Sequence, residues 1–384
     1  MSLAKIDSRP PRRPWLIALP LALVVVLAAG WSAFWFYAAA RANSGIADWR
    51  AREAQAGRAF SCAAQTTGGF PFRLEVDCGD PNLELQNLTP PIMLSAKSAI
   101  VLAQVYDPTL LVGEFTAPLL VGESGHPASM SATWTLAQMS VRGTPGAPER
   151  ASLVIDNPQF ARAARAALEP VAAAKRVEWH GRVLARAPNE NPSLEIAIKL
   201  SAGAAPALHQ AMVQPTDADI GVVISGLRDL QPKPMVVFLR DLAASHGQID
   251  IRQARISQGD ILAVGTGALT VTPEGLLDGR INMTVAGLDK LINLLGLDEM
   301  LTQYLAQRGG GLTMDKIASG LDRILPGLGG AVRNNQGGIA AAGIAMLGEP
   351  AQLDGKKATS LPLRFSEGAA FLGPLQIGRM SPLF

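Results

Sequence analysis

Residues 69–78 read "GFPFRLEVDC". Phe70, Phe72, Leu74, Val76 and Cys78 fall on one parity, and Arg73, Glu75 and Asp77 on the other. A period of two is the pattern of a β-strand with one buried and one wet face. The same alternation returns in 247–287, "GQIDIRQARISQGDILAVGTGALTVTPEGLLDGRINMTVAG", which turns at "QGD" and "PEG". In its last strand Leu277, Gly279, Ile281, Met283 and Val285 alternate with Asp278, Arg280, Asn282 and Thr284. Between these two segments, 92–106, 109–122, 129–143, 150–157, 176–187 and 193–203 read as further strands. Turn chemistry such as Asp107-Pro108, "GESGHP" and "GTPGAP" separates several of them, at the spacing of an antiparallel sheet.

Helical periods appear elsewhere. The alanines of 159–175, "QFARAARAALEPVAAAK", predict a helix interrupted at Pro170. Apolar residues at 288, 291, 292, 295, 301 and 305 predict one with a broad apolar face, and 312–330 a similar one. The apolar run 337–348 is too short to span a bilayer and reads as a buried helix. "LPLRFSEGAAFLGPLQIG" closes the chain as a hairpin. The expected fold class is therefore α+β: large, mostly antiparallel curved sheet covered by a few helices, with one continuous domain over 59–384.

One apolar segment precedes this body. Residues 15–37, "WLIALPLALVVVLAAGWSAFWFY", hold no charge, and as a helix they would reach ~35 Å, enough for a ~30 Å hydrocarbon core. Arg12 and Arg13 flank one end, while Trp31, Trp35 and Tyr37 lie at the other, where amphipathic rings favour the headgroup layer. The rival reading is a cleaved signal peptide, with "LAAG" at 27–30 or "AAAR" at 38–41 as the cleavage site. The long uninterrupted run favours an uncleaved anchor. The bias of Arg9, Arg12 and Arg13 over Arg41 places residues 1–14 in the cytoplasm, 15–37 in the membrane and the body across it. Residues 38–58 read as a short membrane-proximal helix, with Ile46 and Trp49 three apart.

Export bears on the only two cysteines, Cys62 and Cys78. They are either two small buried residues or a disulfide, and an oxidising compartment favours the disulfide. With no C-x-x-C and no nearby histidine, metal binding and redox catalysis are not expected of them.

No motif names an activity. His126, His180, His209 and His246 share no metal spacing, and Ser124 near His126 lacks the nucleophile-elbow glycines. As phosphate loops, 264–270 lacks a third glycine and sits mid-strand, 326–332 has no strand before it, and 353–359 has Lys357 where Ser or Thr is needed. Asn87 and Asn282 fit a glycosylation pattern by letter only, and Phe384 is no barrel signature in a chain with helical segments. A net charge of +2 with scattered basic residues argues against nucleic-acid binding. Hydrophobic content of 48% with only 5% aromatics marks a chain rich in aliphatic surface. No cofactor, metal or catalytic residue is expected.

The anchor with its aromatic end, "GFPFRLEVDC", "VYDPTLLVGEFTAPL" at 105–119 and the closing "LPLRFSEGAAFLGPLQIG" together resemble the bacterial family called domain of unknown function 2125. That resemblance implies a membrane-anchored envelope protein and supplies no catalytic residues. Residues 267–295 also resemble the C-terminal strand-and-helix unit of AsmA-like proteins, a group associated with moving or organising envelope lipids. The leading expectation is an anchored periplasmic protein of the inner membrane that binds lipid through an apolar sheet groove. A scaffold recognising other envelope proteins and a periplasmic hydrolase are the alternatives.

Overall fold

The computed structural model describes residues 15–144, 146–164, 167–184, 191–230, 233–295, 348–372 and 375–384. Arg12, Arg13, the helix expected over 312–330, residues 337–347 and the part of the helix expected from Leu288 that lies beyond Leu295 are outside the described residues. Helix α1 runs unbroken over Trp15–Gln55, so the apolar span and the membrane-proximal helix are one rod, long and apolar enough to cross a membrane. Pro20 sits near its start, where a missing N–H costs least.

The chain then enters a single antiparallel sheet. Its first part comprises β1 (Arg58–Ser61), β2 (Ala64–Gly68), β3 (Arg73–Gly79), β4 (Asn82–Leu85), β5 (Ile92–Gln104), β6 (Asp107–Glu123), β7 (Met130–Thr133), β8 (Leu136–Arg142) and β9 (Arg150–Asp156). The middle comprises β10 (Gln159–Ala164), β11 (Ala167–Ala173), β12 (Arg176–Leu184), β13 (Ser193–Gly203) and β14 (Thr216–Ser225), followed by helix α2 (Met235–Ala244). The predicted meander is β15 (Gln248–Gln258), β16 (Ile261–Val271) and β17 (Leu277–Ala286), leading into α3 (Leu288–Leu295). The end holds β18 (Glu349–Leu353), β19 (Lys356–Ser366), β20 (Ala369–Leu372) and β21 (Leu375–Arg379).

Several expectations need correction. The alanine-rich 159–175 is the hairpin β10–β11, because β10 pairs with β7 and tertiary pairing outweighs a weak helical preference. Pro170 fits there at a register shift on β11, whose named-strand partner is β10 alone, where no second ladder needs its N–H. The segment 129–143 breaks at Trp134 into β7 and β8, which pair with different stretches of β6. The opening strand starts at Arg73 rather than Phe70, since Gly69 has φ +93° and turns the chain from β2. The closing hairpin has three strands, and β18 pairs with the start of β19 on the same edge as β20, opposite β17. Strand β14 and helix α2 had no clear sequence signal.

Cys62 and Cys78 form a disulfide with Cα atoms 5.4 Å apart. It ties the short segment after β1 to the end of β3. For a loop of this length, chain entropy predicts that replacing both cysteines with alanine lowers stability by ~3 kcal/mol. Urea unfolding followed by circular dichroism, with and without reductant, checks this. A double variant as stable as the parent would contradict it.

Candidate functional site

Side chains that face each other across antiparallel strands share one face of the sheet. One transverse row can be followed from β3 to β19: Val76, Val101, Gly113, Met139, Leu153, Trp179, Ile198, Ile220, Ala254, Gly265, Met283 and Leu361. Every member is apolar or glycine. The adjacent row on the other face reads Asp77, Ile100, Glu114, Gln138, Val154, Glu178, Lys199, Asp219, Arg255, Val264, Thr284 and Ser360. One face is therefore continuously apolar across twelve strands, about 50 Å at ~4.8 Å per strand.

Two local devices keep it so. In β15 the alternation "QIDIRQARISQ" breaks at Arg252–Gln253, where the pairing with β14 and β16 shifts register. That bulge returns Ile249, Ile251, Ala254 and Ile256 to one side. Two glycines of this face are covered by neighbours: a Cβ on Gly181, two residues along β12 from Trp179, would meet the Trp179 ring at 2.8 Å, and one on Gly113 would meet Met139 Cγ at 3.1 Å. Larger residues there would displace the side chains that fill the face.

Cover is uneven. Helix α2 packs at one end, where Phe238, Leu239 and the buried Leu242 meet Leu194, Ile196, Ile224 and Ile249. Val285 and Leu361 are also buried, whereas among the described residues other large side chains of the face remain open: Val101 is 38% exposed, Met139 37%, Ile198 37% and Ile256 41%. An ordinary sheet core would bury these groups.

The sheet is joined to α1 at its first strands. Trp31 Nε1–H donates to the Pro71 carbonyl at 2.8 Å, and Trp35 Nε1–H to the Arg73 carbonyl at 2.9 Å. Trp35, 5% exposed, also meets Phe70 edge-on at 5.5 Å. Further along the helix, Asn43 Oδ1 accepts from Thr67 and Gln65, the Arg50 guanidinium reaches Cys62 Sγ, and Trp49 packs on Phe60 at 4.7 Å. Trp31 and Trp35 thus spend their N–H groups on the body, a role that their place in the aromatic cluster did not suggest. Tyr37 remains 63% exposed.

The polar face carries the densest group of titratable side chains. His180 places Nδ1 2.9 Å from Ser152 Oγ and Nε2 3.2 Å from Glu178 Oε2. Arg176 bridges Glu178 at 2.6 Å and Asp156 at 2.7 Å, and Arg182 bridges Glu195 at 2.5 Å. Together Arg150, Ser152, His180, Arg182 and Glu195 line a shallow depression of about 320 Å³. Serine, histidine and carboxylate in a row are the parts of a nucleophilic triad, but acyl transfer also needs N–H groups aimed at a developing oxyanion. Ser152 and His180 face each other on β9 and β12, each flanked by strands on both sides, so the surrounding N–H groups serve the ladder. Among the described residues, no group of three or more His, Cys, Asp or Glu is disposed to hold a metal ion.

Hydrogen bonds from Arg176 and then from His180 hold the Glu178 carboxyl below its usual range. A depressed folded-state value stabilises above the unfolded value of 4.5, and that contribution fades as pH falls through the folded one. Glu178→Gln should therefore show a smaller loss of melting temperature than the parent between neutral pH and pH below 4.5. Equal losses in the two proteins would contradict the assignment.

The model of a family described as "Uncharacterized protein conserved in bacteria (DUF2125)" matches residues 35–381. The chain belongs to that family. No curated protein matches it.

Proposed function

We propose that this DUF2125 member is a non-catalytic, single-pass protein of the bacterial inner membrane whose periplasmic sheet binds lipid acyl chains along its apolar face. The observation that carries the reading is the twelve-strand apolar row with half-exposed Val101, Met139 and Ile198. Covering each such side chain would recover roughly 0.5–1 kcal/mol by the usual value for aliphatic burial. The face begins at β3, the strand whose preceding loop is bonded to the anchor, so it starts where lipid is available. The resemblance of 267–295 to the AsmA-like unit carries the same expectation.

Retention of the anchor is supported by the indole bonds. Cleavage after residue 41 would take both indoles from the body and leave the Pro71 and Arg73 carbonyls without those donors, and cleavage after residue 30 would cut the continuous helix just before Trp31. The arginine bias at the N-terminus favours a cytoplasmic start, and the disulfide suits an oxidising periplasm.

The test is lipid content. The full chain, purified in mild detergent, should carry phospholipid in fixed ratio to protein, measured by extraction and mass spectrometry. The triple variant Val101→Lys, Met139→Lys, Ile198→Lys should lose most of it, whereas Thr266→Lys on the wet face should not. A lipid-free parent, or a triple variant with undiminished lipid, would overturn the reading in favour of a scaffold.

A hydrolytic reading has one observation in its favour, the Ser152–His180–Glu178 row. A fluorophosphonate probe separates the two. We expect no labelling, because the ladder leaves no oxyanion donors; a label lost in Ser152→Ala would establish the hydrolase instead.

A further inference from the structure

We propose that the β2–β3 loop, with Phe70 and Phe72, and the neighbouring Tyr106 of the β5–β6 turn form a second membrane contact that enters the bilayer beside α1. The inference rests on the retained anchor proposed above and is independent of what the apolar face carries. Its occupant is the lipid bilayer, at the boundary of headgroups and acyl chains.

Depth comes first. Trp31 lies ten residues before Arg41, the first charge beyond the apolar segment, or ~15 Å along a helix. Phe72 has its ring 6.4 Å from that of Trp31, and Phe70 stacks on Phe36 at 6.2 Å. The loop therefore sits alongside residues of the membrane-spanning segment, not beyond its end. Yet these rings face outward: Phe70 is 52% exposed, Phe72 65% and Tyr106 70%.

Backbone bonding comes second. Irregular backbone is tolerated at membrane depth only where its polar groups are satisfied within the protein. The Gly69 carbonyl accepts from Arg73 N–H at 3.1 Å, and the Phe72 carbonyl from Val105 N–H at 3.1 Å. The Pro71 and Arg73 carbonyls accept from the two indoles, and Pro71 has no N–H to satisfy. A loop built for water would not need two tryptophans to complete its hydrogen bonds.

Composition comes third. No charged residue occurs from Ala63 to Phe72, and the next tip on this edge, Val105–Tyr106, is also uncharged. Asp107, which follows, is bonded to Thr109 and Arg142. At the opposite ends of the same strands the turns carry Asp80, Glu123 and His126. The asymmetry sets one edge of the early strands toward lipid and the other toward water.

The test uses the full chain in nanodiscs of phosphatidylethanolamine and phosphatidylglycerol. p-Benzoylphenylalanine replaces Phe70, Phe72, Tyr106 or, as a control, His126, and mass spectrometry follows irradiation. Expected is a mass shift of one phospholipid at positions 70, 72 and 106, and none at 126. Adducts confined to residues 31–36, or equal lipid adducts at 126, would overturn the contact. The intact mass before irradiation reads the premise separately: a chain lacking residues 1–30 or 1–41 removes the anchor, and this inference with it.

Discussion

Register is the constraint on which this sheet depends. Because side chains alternate every residue, a one-residue slip between any two neighbours would carry an apolar set to the wet face. Twelve strands keep the same parity from Val76 to Leu361, through connections as different as a tight turn and a helix. The bulge in β15 matters for that reason, since without it Ala254 and Ile256 would stand among the charges. Gly69, which no other residue would easily replace at its positive φ, aims β3 so that the row begins beside α1.

A single curved layer with one apolar face is incomplete by itself, because sheets ordinarily bury such a face against a second layer. Among the described residues, α2 supplies cover at one end and leaves Val101, Met139 and Ile198 half-open. The surface ion pairs of the other face do little for stability individually, each worth about 0–1 kcal/mol. They do make that face polar, so the two sides of the sheet differ in the surface they present. Helix α1 adds a further constraint: Asn43 bonds the side chains of Gln65 and Thr67, which pair with Cys78 and Val76, so the helix is tied to the first strands on the face of the apolar row.

How much was legible in the sequence follows from the same physics. Period two exposed β3 and the meander β15–β17 directly, because alternation is a local property. The long apolar helix also needed only local composition, whereas the disulfide of Cys62 and Cys78 was one of two readings, favoured only through the expected export. The hairpin β10–β11 was misread because alanine favours helices locally, whereas its state is decided by β7, some thirty residues earlier. Helix α2 is short, and its apolar side chains meet β13–β16, so its role is defined only by the packed whole. The indoles of Trp31 and Trp35 read as membrane anchors by composition; that they clamp Pro71 and Arg73 is a tertiary fact with no sequence spacing to announce it. The row of Ser152, Glu178 and His180 likewise depends on the register of β9 with β12.

The central claim is that the apolar face holds lipid. Native mass spectrometry of the intact protein, released from membrane vesicles, tests it most directly. The account predicts a complex with bound phospholipid that survives mild activation. A bare chain, or one carrying another protein and no lipid, would contradict it.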